Sequence, residues 1–103
     1  MANLYRQGDV LFSLIKAVPE ENRTTRANGV VAYGEVTGHK HAVADLAAAE
    51  VLEISDSIFV RVSDQGGVSI VHDEHAPILL PRGDYAVTIQ REYTPDAIRN
   101  VLD

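Results

Sequence analysis

Short apolar runs separated by glycine, proline and polar turns are the main pattern along this chain. One apolar run, at 10–15, follows the turn residues Gly8 and Asp9, and another, at 30–36, follows Gly29. Runs of this length, rich in valine and isoleucine and bounded by turn residues, are typical of β strands. Further strands are predicted over 39–43, 51–54, 58–62, 68–72 and 85–93. The pattern therefore predicts a mainly β chain.

The connections between these strands are predicted from their turn residues. Segment 63–67 ends in two glycines that accept positive φ, and it predicts a hairpin between the strands on either side of it. The polar segment 19–28 predicts an exposed, mobile loop, and the proline-bounded segment 77–84 predicts a turn. Gly34 is a candidate β-bulge. Segment 44–50 has the propensity for one helical turn but is short.

The end of the chain carries a helix signal. Thr94 is a candidate N-cap, Pro95 fits the first helical position, and apolar residues follow at helical spacing within 97–102. Many short strands with glycine and proline turns indicate a β-barrel or sandwich. We therefore expect one small β-barrel or sandwich domain over residues 1–103, with a short C-terminal helix.

Composition restricts the chemistry further. The chain has 103 residues, no cysteine and a formal net charge of −6. Without cysteine there is no disulfide framework and no thiolate ligand or nucleophile. The acidic balance argues against nucleic-acid binding, which draws much of its affinity from phosphate neutralisation. No signal peptide and no apolar run of about 20 residues is apparent, so we expect a cytoplasmic protein with no membrane partner.

The four histidines form two pairs, and the first pair lies on a predicted strand. His39 and His41 are two residues apart, so on a strand both side chains point to the same face. Two imidazoles on one face can bind one metal ion, and Asp45 could add an oxygen ligand. A His/His/carboxylate set suits Zn(II), Fe(II), Mn(II) or Ni(II).

The second pair lies at the end of a predicted strand. His72 ends the strand at 68–72, and His75 follows in the turn before Pro77. Asp73 and Glu74 lie between them and are candidates for metal ligands, for acceptors of an imidazole N–H, or for a general base. If the two pairs meet, they form a site for a divalent metal or a small-molecule ligand. If they do not, they are surface or packing residues.

Several motifs resemble a small family of uncharacterised bacterial and phage proteins. The motifs are RQGDV at 6–10, GEVTGHKH at 34–41, HDEHAPI at 72–78, LPRGDY at 80–85 and QREYTP at 90–95. The resemblance spans nearly the whole chain. It implies no established activity.

A looser resemblance is to cupins, which are small metal-binding β-barrels. The first cupin motif has a glycine, then His-x-His, then a carboxylate. The matching residues are Gly34, His39, His41 and Asp45, with Asp in place of the usual Glu. The second motif is Pro-x-Gly-x-x-His, and residues 81–86 supply its turn but have Ala86 in place of the histidine. The resemblance implies a metal-binding barrel in which His72 or His75 replaces that ligand.

A second function class fits the same composition. Small β domains often cover exposed edge strands by pairing with copies of themselves. The chain could therefore be a non-enzymatic homo-oligomer, a ring- or shell-forming module associated with a phage or mobile element. The histidines would then lie at an interface, where they hydrogen-bond or respond to pH.

Overall fold

The apolar runs form β strands arranged in two sheets. A computed structural model of the protein describes residues 3–33 and 39–89. The strands are β1 Leu4–Gln7, β2 Val10–Ile15, β3 Thr24–Arg26, β4 Val30–Tyr33, β5 Lys40–Val43, β6 Ala49–Ile54, β7 Ser57–Val62, β8 Val68–Val71, β9 Ile78–Leu80 and β10 Gly83–Ile89. The prediction of a mainly β domain is confirmed. Within these ranges no helix is long and apolar enough to cross a membrane, and the predicted C-terminal helix lies outside them.

All the strand pairs among the described residues are antiparallel. The larger sheet has the order β1-β2-β10-β7-β6-β3, and the smaller sheet has the order β4-β5-β8-β9. The chain passes from one sheet to the other at the β3–β4, β5–β6, β7–β8 and β9–β10 connections. Neighbours in a sheet are therefore often distant in sequence, and this arrangement brings β5 beside β8.

The core contains apolar side chains from both sheets. Along β2 the buried residues Val10 and Phe12 alternate with more exposed ones, as expected for a strand with one face toward the core. The smaller sheet contributes Val43, Ile70 and Leu80 to the same cluster. Burying a side chain of this size stabilises the fold by about 1.5–3 kcal/mol. The core therefore holds the two sheets together.

Tyr85 in β10 combines core packing with a hydrogen bond. Its hydroxyl donates to the carbonyl oxygen of Pro81 at 2.6 Å, and its ring meets that of Tyr5 edge to face at 5.9 Å. Burial, and to a smaller extent the neighbouring Tyr5, raises the pKa of Tyr85 above its ordinary value of 10.0. The polar end of this core residue is thus satisfied by the turn that precedes its own strand.

The predicted hairpin across 63–67 is wrong. β7 pairs with β6 and β10, whereas β8 pairs with β5 and β9, so the two strands belong to different sheets. The connection carries the chain across the core, and Gly67 has a φ of +82° there. A glycine-rich loop of this length fits a hairpin or a crossing between sheets, and local sequence does not distinguish them.

Two segments predicted as irregular contain strands. The loop at 19–28 includes β3, which pairs with β6 at the edge of the larger sheet. The turn at 77–84 includes β9, which pairs with β8 at the edge of the smaller sheet. Both strands are only three residues long, and proline beside a strand is tolerated at a sheet edge. The register of β4 shifts between Val30 and Ala32, whereas Gly34 lies outside the described residues.

Candidate metal centre

The first histidine pair lies at the start of β5. His41 is buried with only 1% of its surface exposed, and it shares the inner face of the strand with Val43. Lys40 points the other way and is exposed. His39 directly precedes the strand and is partly buried. The alternation of β5 therefore directs His41 into the interior and leaves His39 near the rim.

The second pair is brought to the first by the register of β5 and β8. Ala42 pairs with Val71, so in this antiparallel ladder the next position places His41 opposite His72. The rings of His41 and His72 have centroids 4.2 Å apart, and those of His39 and His72 are 5.7 Å apart. His75 lies 4.6 Å from His72 and 6.1 Å from His41 by the same measure. All four imidazoles thus form one cluster, which we call the histidine cluster.

Gln7, the last residue of β1, fixes the tautomer of His41. Its side-chain amide donates hydrogen bonds to the carbonyl oxygens of Ile70 at 2.8 Å and Ala76 at 2.9 Å. Both N–H groups are then committed, and Oε1, which can only accept, lies 2.8 Å from His41 Nδ1. The Nδ1 of His41 therefore carries the proton. In the neutral ring the lone pair is at Nε2.

His72 has the opposite tautomer. Its Nδ1 accepts hydrogen bonds from the backbone N–H groups of Glu74 at 3.0 Å and His75 at 3.2 Å. A ring nitrogen that accepts carries its lone pair there, so the proton of the neutral ring is on Nε2. These bonds shape the turn at 72–75 and hold His75 beside the cluster.

The β1–β2 hairpin turn closes the cluster from the other sheet. Gln7 pairs with Val10, which leaves Gly8 and Asp9 as a two-residue turn. Gly8 has a φ of +61°, and a Cβ built on it would lie 2.6 Å from His75 Nε2. Asp9 Oδ1 lies 3.9 Å from His41 Nε2. The imidazole of His75 therefore packs directly on the turn, where only glycine leaves room for it.

Comparison with known protein families gives one match, which covers most of the chain. A family model described as a domain of unknown function, DUF8820, matches residues 6–90. The chain belongs to the DUF8820 family. The matched range of the DUF8820 domain includes the hairpin turn and all four histidines, and it confirms the expectation of an uncharacterised family. No curated protein and no solved structure matches the chain.

The carboxylates considered as ligands for the histidine cluster differ in their surroundings. Glu74 is exposed, and its Oε1 lies 3.5 Å from His39 Nδ1. Asp73 is exposed in the same turn. Asp45, the carboxylate suggested by the cupin pattern, accepts a hydrogen bond from the Ala47 N–H at 2.9 Å and so caps the turn before β6. The structure thus brings Glu74, but not Asp45, into contact with a histidine.

The sequence pattern did not predict three residues around the histidine cluster: Gln7, Gly8 and Asp9. Gly8 and Asp9 indicate only a turn, and nothing in the local sequence marks Gln7 as buried. Among the residues that the structure describes, no group of three or more His, Asp or Glu side chains is arranged so that it could hold a metal ion as it stands. A metal would therefore require side chains of the cluster to rotate.

Proposed function

We propose that this domain binds a divalent transition-metal ion at the histidine cluster. The observation that carries the proposal is the fixed tautomer of buried His41, whose Nδ1–H is held by Gln7. Metal-ligating histidines almost always donate their second ring N–H to an oxygen acceptor, which orients the ring. The Gln7 amide provides this support, so His41 Nε2 is the ligand atom.

Ring spacing in the cluster is compatible with a shared ion after small rotations. Zinc–nitrogen bonds of about 2.0–2.1 Å in tetrahedral geometry place ring centres roughly 5 Å apart, and the ring centroids of His41 and His75 are 6.1 Å apart. His75 is exposed and His39 is at the rim, so both can turn. An off-rotamer side chain costs about 0.5–1.5 kcal/mol. This cost is small beside the roughly 8 kcal/mol of a micromolar complex.

The tautomers favour particular donors. His72 uses Nδ1 to accept two backbone hydrogen bonds, so it supports the turn, and His39, His41 and His75 are the preferred nitrogen ligands. Imidazoles with carboxylate and no thiolate suit Zn(II), Fe(II), Mn(II) or Ni(II). This set differs from the cupin pattern. The position of the second-motif histidine is Ala86, which lies in β10 of the larger sheet, whereas β5 and β8, which position the histidines, belong to the smaller sheet.

Three nitrogen ligands would leave a position for water or a small-molecule ligand. Metal-bound water can have a pKa near 7, compared with 15.7 for bulk water. Glu74, which already contacts His39, is the better placed general-base candidate, and Asp73 beside it is the alternative. Hydrolytic chemistry is therefore an extension of the binding proposal.

Metal binding is tested by titrating untagged protein with ZnCl₂ or NiCl₂ by calorimetry at neutral pH. We expect about one equivalent to bind. At a free metal concentration about 100 times Kd, the folded state should gain about 2.7 kcal/mol, visible as a higher Tm. His75→Ala, at an exposed position, should weaken binding at least about tenfold, because a directly bound nitrogen is lost.

Lys40→Ala is the matched control for this titration. Lys40 lies between His39 and His41 but points to the opposite face from His41, so its removal should leave the affinity within about twofold. No heat and no change in Tm with either ZnCl₂ or NiCl₂ would contradict the proposal. Equal affinities for wild type and His75→Ala would exclude His75 as a ligand.

Oligomer formation is the second candidate function, and it is favoured by apolar side chains at sheet edges. Leu4 in β1, Tyr33 in β4 and Leu79 in β9 are each more than half exposed, and all three strands are at sheet edges. Edge strands of this kind pair readily with other chains. We expect light scattering to give an assembly larger than one chain that Leu79→Lys dissociates. A monomer at neutral and mildly acidic pH would rule this function out.

A further inference from the structure

We infer that Asn28 is a site of spontaneous chemical modification, at which the side-chain amide is lost through a cyclic imide formed with Gly29. The two residues lie in the connection between β3 and β4. This modification does not depend on metal binding. Its isoaspartyl product should weaken the pairing of β4 with β5, the strand that carries His41.

The reaction joins two neighbouring groups of one chain and needs only water. The main-chain nitrogen of Gly29 loses its proton to solvent and attacks Cγ of Asn28. The bond from Cγ to Nδ2 then breaks, and Nδ2 takes up a proton and leaves as ammonia. Water next opens the imide: attack at Cγ gives aspartate in an unchanged main chain, whereas attack at the main-chain carbonyl carbon gives isoaspartate. Because both reacting groups belong to one turn, the first step is unimolecular.

Glycine is the residue that the fold requires at position 29. Gly29 has a φ of +71°, and a Cβ built on it would lie 2.9 Å from Leu46 Cδ2 and 3.0 Å from Val43 Cγ2. Other residues are therefore disfavoured there by both conformation and space. Since glycine has no side chain to obstruct its own nitrogen, the requirement for Gly29 also leaves the Asn28 amide open to attack.

The side chain of Asn28 is oriented by the turn. Its Oδ1 accepts a hydrogen bond from the backbone N–H of Val30 at 3.0 Å, which makes an Asx turn that folds the amide back over the Gly29 peptide unit. Negative charge develops on Oδ1 when the Gly29 nitrogen attacks Cγ. A backbone N–H already directed at that oxygen stabilises this charge.

The attacking nitrogen is held only weakly. The Gly29 N–H donates to the carbonyl oxygen of Arg26 at 3.4 Å, which is longer than the usual 2.7–3.2 Å. Gly29 itself is buried, but Ala27 and Asn28 are exposed, so water reaches the amide that is lost.

Asn22 provides a comparison within the same chain. It is also exposed and has a φ of +56°. The residue after it is Arg23, whose side chain obstructs the nitrogen that would have to attack. Asn22 should therefore be modified much more slowly than Asn28.

The two products should affect the fold differently. The carbonyl oxygen of Gly29 accepts a hydrogen bond from the Val43 N–H at 3.0 Å, and Val30 pairs with Ala42 of β5. Isoaspartate inserts one more carbon into the main chain before Gly29 and so displaces these partners. Aspartate at 28 keeps the main chain and an oxygen acceptor for the Val30 N–H, so it should leave the turn intact.

The site is tested by incubating the folded protein at mildly alkaline pH and analysing its tryptic peptides by mass spectrometry. Trypsin places Asn28 in peptide 27–40 and Asn22 in peptide 17–23, so one digest gives both rates. We expect Asn28 to be converted at least about tenfold faster than Asn22, because reaction depends steeply on the approach of the two groups. A smaller ratio would overturn the assignment.

Asn28→Asp is the matched control. Its peptide identifies the aspartyl product by chromatographic retention, since the aspartyl and isoaspartyl peptides have equal mass. The variant should keep the Tm of unmodified wild type, because the acceptor for the Val30 N–H is retained. The isoaspartyl fraction of wild type should have a lower Tm. An isoaspartyl fraction with an unchanged Tm would overturn the expected effect on the pairing of β4 with β5.

Discussion

Replacing Gln7 with leucine is expected to lower the free energy of unfolding by about 3–5 kcal/mol. The substitution keeps the approximate volume but removes three hydrogen bonds, to the carbonyl oxygens of Ile70 and Ala76 and to His41 Nδ1. Each buried polar group left without a partner costs about 1–3 kcal/mol. Gln7 is 2% exposed, so water does not readily replace the lost partners.

Urea denaturation measures this loss as a lower midpoint at constant m value. Gln65→Leu is the control, because Gln65 is exposed in the β7–β8 connection and the same chemical change there should cost less than about 0.5 kcal/mol. A loss below about 1 kcal/mol for Gln7→Leu would show that the Gln7 hydrogen bonds do not hold the two sheets together.

Nitrogen NMR of the imidazoles gives a second result for the same variant. In wild type we expect the Nδ1–H tautomer at His41 and the Nε2–H tautomer at His72. Loss of Gln7 should convert His41 into a mixture of tautomers, because the oxygen that accepts the Nδ1–H bond is removed. His72 should be unaffected, since its acceptor role depends on the backbone of its own turn.

The histidine site could be predicted from the sequence only in part. The His-x-His spacing at the start of β5 was sufficient to place the His39 and His41 side chains near one site, because strand alternation is local. That β8 lies beside β5 depends on pairing between distant segments, for which the sequence offered no local signal. The role of Gln7 depends on even longer-range contacts, since Gln7 is 34 residues from His41 and 63 from Ile70 in the sequence.

The fold shows the same division between local and long-range information. The apolar runs located most of the longer strands, because an apolar stretch bounded by turn residues predicts a strand wherever that strand later pairs. Assigning strands to sheets failed at 63–67, where a loop that favours a hairpin instead crosses the core. The short edge strands β3 and β9 were missed, because half of their surroundings is solvent and their sequences need little apolar patterning.

The crossing at 63–67 leads to the second large effect, which is expected for Gly67→Ala. Gly67 has a φ of +82°, and an added Cβ would lie 2.5 Å from the backbone oxygen of Leu80 in β9. The left-handed conformation costs a non-glycine residue about 1–2 kcal/mol, and the clash with backbone requires β9 to shift, at about 1–3 kcal/mol. We expect a total loss of about 2–5 kcal/mol in the free energy of unfolding.

The preceding glycine provides the comparison for this prediction. A Cβ at Gly66 would meet only the side-chain oxygen of Asp64, at 3.1 Å, and Gly66 does not have a positive φ. Gly66→Ala should therefore change stability by less than about 1 kcal/mol, since a Gly→Ala change at a compatible site also reduces the entropy of the unfolded chain. Equal stabilities for the two variants in urea would contradict the close approach of the β7–β8 connection to β9. That result would also contradict the crossing between sheets at 63–67, which places β8 in the smaller sheet and so positions His72 and His75 after it.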